Sequence, residues 1–281
     1  MHPTNTPAQR LDTLAHWVNE RWRILQRKRA RRPEPWTQDR VLREYRFCNV
    51  RREDDRTTQW IAQHWRTPHA NDADVWFAMT VARMLNHPPS LHAIGYPLPW
   101  NAARVERVLL ARGQQVFGAA YIIGTAGKRV AKVPYVVSLL DAARTLEYPP
   151  RQGDTLARAH DKLRAAAGLG SFMAAQVVAD LKHTATLANA TDWWDWAAPG
   201  PGSLRGLHWL ETGVLLDKRG GSKANFVARL LALRQQVKPL LAPGVPRLCL
   251  QDFQNCLCEL SKYVRGYGKQ RYVSLEAELL G

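Results

Sequence analysis

The stretch from 157 to 183, ARAHDKLRAAAGLGSFMAAQVVADLKH, limits the fold more than any other part of the chain. Apolar residues recur at helical spacing on both sides of Gly168-Leu169-Gly170: Leu156 and Leu163 before it, then Met173, Ala174, Val177, Val178 and Leu181 after it. The pattern predicts one helix ending near Ala167 and another starting near Ser171, with Ser171 as N-cap. Glycines at 168 and 170 permit a tight turn and leave backbone amides at a helix N-terminus, where a phosphate oxygen can be held. The corner is therefore either an ordinary αα-turn with a glycine C-cap or a helix-hairpin-helix motif. The latter grips a nucleic-acid backbone without reading its sequence, through Gly168, Gly170 and Ser171.

Charge bears on that choice. Lys and Arg number 40 against 24 acids, giving +16 and a pI near 10.2, which favours a polyanionic partner. Eleven tryptophans can fill a core or stack on bases. Cys48, Cys249, Cys256 and Cys258 form no disulfide framework, and Cys256-x-Cys258 lacks zinc-knuckle spacing. A reducing, cytoplasmic setting with no structural metal and no cofactor is expected. No apolar run reaches membrane-spanning length, so no membrane partner is expected.

Helical periodicity continues along the chain, with few β-branched alternations, and predicts an all-α fold. Pro7 to about Arg32 forms a helix with a basic end, Arg27, Lys28, Arg29, Arg31 and Arg32, stopped by Pro33 and Pro35. That end either follows a phosphate backbone or is simply solvated. A short helix over Gln38–Tyr45 precedes the most chemically loaded segment, FCNVRREDDRTTQW (47–60). A helix starting near Arg51 would align Arg52, Asp55, Arg56 and Gln59 on one face. Such a stripe is either a solvated face of ion pairs or, given the aromatic flanks Tyr45, Phe47, Trp60 and Trp65, a partly buried site.

Further helices are predicted over 74–85 (capped by Asn71-Asp72), from Asn101 to about Arg112, and over 135–146, 225–238 and 250–263. Val116 to Gly124 is ambiguous between helix and strand. The run Gly124-Thr-Ala-Gly-Lys-Arg fails as a Walker A loop, because the glycines are too close and no Ser or Thr follows the Lys. In Asp192-Trp-Trp-Asp-Trp followed by Ala-Ala-Pro-Gly-Pro-Gly-Ser203-Leu-Arg205, the turn from Gly200 through Gly202 to Ser203 can offer amides and a hydroxyl to an anion. Arg205 would complete that cradle. The alternative is a rigid turn packed under tryptophans.

Three segments taken together resemble a phage thymidine-hypermodification family. It comprises α-glutamyl/putrescinyl-thymine pyrophosphorylase-like domains, amino acid:DNA transferases and the helical domain of hydroxymethyluracil DNA kinases. The segments are Asn49-Val50 with Arg52, Asp55 and Arg56; Gly200 to Leu207; and Cys258-Glu259 with Lys262, Tyr263 and Arg265. The likeness spans roughly residues 38–270. Leu260 and Ser261 stand where the family has Phe and Asp, so the resemblance puts the acidic role on Glu259. His208 replaces an Asn.

The family is similar in turn to helix-hairpin-helix DNA glycosylases, which implies a glycosylase-like helical fold. Phe172 occupies the place of a bifunctional glycosylase's lysine, and Asp192 that of its catalytic aspartate. What the resemblance implies is an amine, such as the amino acid glycine, displacing phosphate or pyrophosphate from phosphorylated 5-hydroxymethyluracil in double-stranded DNA. The modification would help phage DNA evade host restriction. Asn49, Arg52, Asp55, Arg56, Glu259 and Lys262 would be catalytic. Asp192, Trp193, Gly200, Gly202, Ser203 and Arg205 would hold phosphate and base. A DNA kinase of the same pathway is the implied partner. The competing readings are a monofunctional glycosylase and a non-catalytic module recruiting a kinase. The expected organisation is an N-terminal helix and basic linker (1–36) before a helical domain (37–281).

Overall fold

The computed structural model describes residues 6–113, 115–119, 124, 129–216, 220–266 and 269–270. Its helices are α1 (Pro7–Arg29), α2 (Arg40–Glu44), α3 (Arg56–Ile61), α4 (Val75–Leu85), α5 (Pro88–Ile94) and α6 (Ala102–Ala111). They continue as α7 (Lys132–Arg144), α8 (Leu156–Arg164), α9 (Ser171–Leu181), α10 (Pro201–Thr212), α11 (Phe226–Val237) and α12 (Leu250–Tyr263). Extended pairing among the described residues is limited to Tyr45–Arg46 against Lys269–Gln270, antiparallel. The fold is all-α. The Gly124–Arg129 turn and the basic loop at 218–223 lie partly outside the described residues, as do the ambiguous segment at 116–124 and the tail beyond Gly266.

The chain divides into two compact units, Met1–Asp55 with Trp194–Gly281, and Arg56–Trp193. The boundary expected near residue 36 falls inside the first unit. There α1 starts from a reciprocal capping box, in which Thr6 accepts the Gln9 amide while the Gln9 side chain accepts the Thr6 amide. Its apolar face (Leu14, Trp17, Val18, Ile24) joins Leu204 and Leu207 of α10, Leu230 of α11, and Phe253, Leu257 and Leu260 of α12 in one core. The closest packing is between α10 and α12, and glycine makes it possible. A Cβ at Gly206 would lie 2.2 Å from the Leu257 carbonyl oxygen, and one at Gly202 would lie 2.2 Å from Cys258 Sγ.

That contact reverses the usual effect of a helical glycine. Propensity alone predicts that Gly206→Ala gains about 1 kcal/mol. Forcing a methyl against the α12 backbone should instead lose about 1–3 kcal/mol. Urea denaturation of the variant gives the sign directly.

In the second unit every residue of α4 is buried, as expected of a helix with no polar face. Arg83, on that helix, is 1% exposed and meets the fully buried Asp180 of α9 in a bidentate pair, with Arg66 adding a bond of 3.2 Å. Shared by two guanidiniums, the carboxylate is satisfied where a lone charge would be prohibitive. Residues 156–181 form α8, a turn and α9. Gly168 has φ +77°, and a Cβ there would press Leu139 Cδ1 at 2.9 Å. The N-cap of α9 is Gly170 rather than Ser171, which is instead the first helical residue. Ser171 bonds backward, its carbonyl and hydroxyl lying 3.0 and 3.2 Å from His160 Nε2.

Two further local expectations differ. No helix starts at Arg51: Arg52–Asp54 is a single 3-10 turn, Asp55 is extended with ψ 134°, and α3 begins only at Arg56. The four-residue polar stripe is therefore broken at Asp55, with Arg56 and Gln59 in the second unit. The cause is local, since Asn49 Nδ2 holds the Asp54 carbonyl at 2.8 Å and so competes with helix propagation. In addition α4 follows Asp74, with no side-chain bond capping it.

Candidate active site

Residues 47–55 lie along one face of α12. Glu259 Oε2 accepts the Cys48 amide at 3.1 Å, Cys256 Sγ donates to the Val50 carbonyl at 3.6 Å, and Asp252 Oδ1 accepts the Arg52 amide at 3.0 Å. The helix contributes positions 252, 256 and 259, the i, i+4, i+7 spacing of one face, and the loop contributes alternate residues, as an extended segment does. This ladder explains why an Asn-x-x-Arg segment near residue 50 and a Cys-Glu pair near residue 258 belong together.

Beneath the loop sits Arg21 of α1, a residue the sequence reading passed over. Its Nε donates to the Cys48 carbonyl at 3.1 Å, and its Nη2 to the Phe47 carbonyl at 3.2 Å and to Asn49 Oδ1 at 2.9 Å. Because the guanidinium takes Asn49 Oδ1, the amide nitrogen must face the other way, and it donates to Asp55 Oδ1 at 3.1 Å. The Asn49 backbone N–H reaches the same oxygen at 2.9 Å. Arg21, Asn49 and Asp55 thus form a chain in which each group fixes the orientation of the next. The signal was present in the sequence: Arg21 falls seven residues after Leu14 and three after Val18, on the apolar face, where an unpaired cation is not tolerated.

Burial raises the Asp55 carboxyl to about 6, although the Asn49 amide and the charges of Arg21 and Arg52 pull it down and Glu259 pushes it up. Glu259 is 2% exposed and has both oxygens engaged, one by the Cys48 amide and one by Lys262, its partner one turn along α12. Burial alone would lower the Lys262 ammonium, but the Glu259 charge holds it above the ordinary lysine value. Lys262 is therefore a firm cation, and its side chain keeps 28% of its surface exposed. Burial, reinforced by Glu259 and Asp55, keeps the Cys48 thiol protonated. Next along, burial would raise Asp54, yet bonds from Arg51 and Arg29 at 2.9 and 2.8 Å hold it below the usual carboxylate range.

Asn49, Arg52, Asp55, Glu259 and Lys262 thus come together in the first unit, with Arg21, Cys48 and Cys258 as additions. Arg56 opens the second unit and is exposed. The Gly200–Ser203 turn is not an anion cradle in the expected sense. It is the N-terminus of α10, and the fully buried Ser203 hydroxyl is used by the Gly200 amide at 3.1 Å and Gln254 Nε2 at 2.9 Å. Gly202 serves the close helix crossing. Arg205, one turn beyond Gly202, is half-buried on the same helix.

Asp192 also has a structural employment, its two oxygens taking the Leu156 and Ala157 amides at 2.7 and 3.0 Å, where they complete the N-terminus of α8. Trp193 donates from Nε1 to the Lys182 carbonyl at 2.8 Å, and its ring carries Lys182 Nζ at 3.6 Å. The first unit's Trp194 is 37% exposed, with Arg247 4.0 Å over its ring. Among the described residues, no three His, Cys, Asp or Glu side chains are placed to hold a metal ion, and no helix is long and apolar enough to cross a membrane.

No solved structure matches the chain. A protein of Bacillus phage SP10 described as "5-hmdU DNA kinase" is 22% identical over 274 residues, covering 85% of this chain and 42% of that protein. The chain thus spans less than half the length of the curated relative it matches. The family described as "5-hmdU DNA kinase, helical domain" matches residues 8–271. On that extent of match, the chain belongs to the 5-hmdU DNA kinase helical-domain family.

Proposed function

We propose that the chain is a DNA-modifying transferase that replaces the phosphate or pyrophosphate on the 5-methylene group of phosphorylated 5-hydroxymethyluracil with an amine, an amino acid such as glycine being the favoured donor. The observation that carries this reading is a carboxylate, Asp55, held by the Asn49 amides and facing the cations Arg21 and Arg52, with Lys262 paired to the neighbouring Glu259. The reaction needs both kinds of group. An ammonium has no lone pair until a base removes a proton, and the departing phosphate needs positive charge as the C–O bond breaks.

Asp55 takes the proton, the amine nitrogen bonds to the methylene carbon, and the C–O electron pair leaves with the phosphate. Arg52, Lys262 and Arg205 are the cations proposed to receive it. Of the two carboxylates, Asp55 suits the base role better, because both Glu259 oxygens are already engaged. The α8–α9 hairpin is the proposed grip on flanking DNA phosphates, through Gly168, Gly170 and Ser171. Trp194 is a candidate to stack on a base withdrawn from the duplex.

The 42% coverage of the phage kinase favours one second reading, a helical module that serves a kinase without chemistry of its own. Mass spectrometry separates these readings. DNA containing 5-phosphomethyl-deoxyuridine is incubated with the protein and a mixture of amino acids, then digested to nucleosides. The transferase yields an aminoacyl-methyl nucleoside, a glycosylase yields abasic sites, and a binding module leaves the DNA unchanged.

A further inference from the structure

We propose that the basic end of α1 is a DNA-backbone surface that presents the substrate strand to the Asp55 site. The inference rests on the reading that the chain acts on DNA, but it uses residues outside the family motifs. Arg23, Arg27, Lys28, Arg31 and Arg32 are all exposed within ten residues, and Arg40, Arg43 and Arg46 follow, exposed, in the same unit. One or two cations suffice to complement a helix C-terminus; this concentration exceeds that need.

Ten Lys and Arg stand against four acids between 20 and 46, so the acids neutralise it only in part. Glu20 pairs with Arg23 and Arg27, Glu44 lies 3.9 Å from Arg40, and Asp39 accepts from Tyr263 and the Leu42 amide. Among the described residues, Arg31 and Arg32 have no carboxylate partner. The surface is also ordered in advance. Trp36 folds back on the helix, with Nε1 donating to the Arg32 carbonyl at 2.7 Å, its own carbonyl accepting from Arg27, and its ring under Lys28 Nζ at 4.2 Å. Cations carried on a fixed backbone bind phosphates with less ordering cost than a flexible basic tail.

This surface leads to the candidate base through one carboxylate. Arg29 bonds Asp54 at 2.8 Å, Arg51 bonds it at 2.9 Å, and Asn49 Nδ2 holds the Asp54 carbonyl at 2.8 Å immediately before Asp55. A strand lying on the α1 end is thus tied to the loop that carries Asn49 and Asp55. Nucleic acid fits better than a lipid surface, because none of the exposed large apolar side chains lies between 20 and 46, and membrane-lying segments need them.

The test is a titration of the full chain against a fluorescent duplex of unmodified thymine DNA, followed by anisotropy over a salt series. Arg31→Glu with Arg32→Glu is compared with a charge-matched control, Arg107→Glu with Lys238→Glu. The proposal predicts at least a tenfold weaker Kd near 0.1 M salt and a log Kd–log salt slope shallower by about two for the α1 pair, with the control within threefold of wild type. Equal losses in both variants would show bulk charge rather than a surface and overturn it. So would wild-type affinity in the α1 pair, or binding of phosphatidylserine vesicles in place of DNA. Unmodified DNA requires no amine transfer, so failure of the transferase reading shows separately, in the nucleoside analysis.

Discussion

Asp55→Asn is expected to lower the rate of amine transfer by about 10²–10⁴-fold, the range associated with a general base, while raising the stability of the protein. Asn retains an oxygen that can accept both the Asn49 backbone and side-chain N–H groups, so the loop geometry survives. What disappears is the ionised carboxylate. Its pKa is near 6 in the fold against a reference of 3.8. Between those values the folded chain binds a proton that the unfolded chain releases, so stability from this group is present at low pH and falls as pH rises through 6. Above pH 6.5 the penalty is at most about 3 kcal/mol, from roughly 1.4 kcal/mol per pKa unit. Asn removes it. Chemical denaturation should show the variant more stable than wild type at pH 7.5 and nearly equal to it at pH 4. A variant that loses both activity and stability at pH 7.5 would mark Asp55 as structural.

Arg21→Met is expected to act in the opposite direction on stability. It strips the donors from the Phe47 and Cys48 carbonyls and from Asn49 Oδ1, and it removes the buried cation facing Asp55 and Glu259. Breaking a buried charged network in this way costs about 3–5 kcal/mol. The catalytic signature differs from plain unfolding. With Arg21 gone, the Asp55 carboxyl should titrate at higher pH, because a cation that lowers it is lost and Asn49 is free to rotate. Arg21→Lys keeps the charge but not the planar fork that serves three acceptors, so it should recover part of the pKa and little of the stability. Carboxyl carbon NMR of Asp55, read on folded protein at low temperature, separates positioning from scaffold. An unchanged Asp55 titration in Arg21→Met would refute the positioning role.

Much of the helical framework was legible from periodicity. α12 occupies Leu250–Tyr263 as the spacing of Leu250, Phe253, Leu257 and Leu260 predicts, and α6 follows its Asn101 cap. Position was readable where one helix face repeats, and unreadable where tertiary contacts override local pattern. The Arg52–Gln59 stripe looked helical because its spacing was right, but Asn49, held in place by Arg21 of α1, takes the Asp54 carbonyl that a helix would need.

The Gly200–Ser203 turn looked like an anion site because Gly, Ser and Arg are the chemistry of one. Only the position of Cys258, distant in sequence, shows that Gly202 is there to let two helices meet. The burial of Arg21 was legible from its place on the apolar face, but its partners were not. Its partners are backbone carbonyls and one amide in a loop 26 to 28 residues away, and nothing in the α1 sequence announces them.

The assignment of Asp55 as the base is tested most directly by the single-turnover rate of amine transfer, measured from pH 5 to pH 8 in wild type and Asp55→Asn side by side, because the substrate phosphate itself titrates at about pH 6. The structure predicts that the log ratio of wild-type to Asp55→Asn rate, in which the substrate's own titration cancels, rises with unit slope up to about pH 6 and then levels. A ratio that stays flat through that range would contradict it.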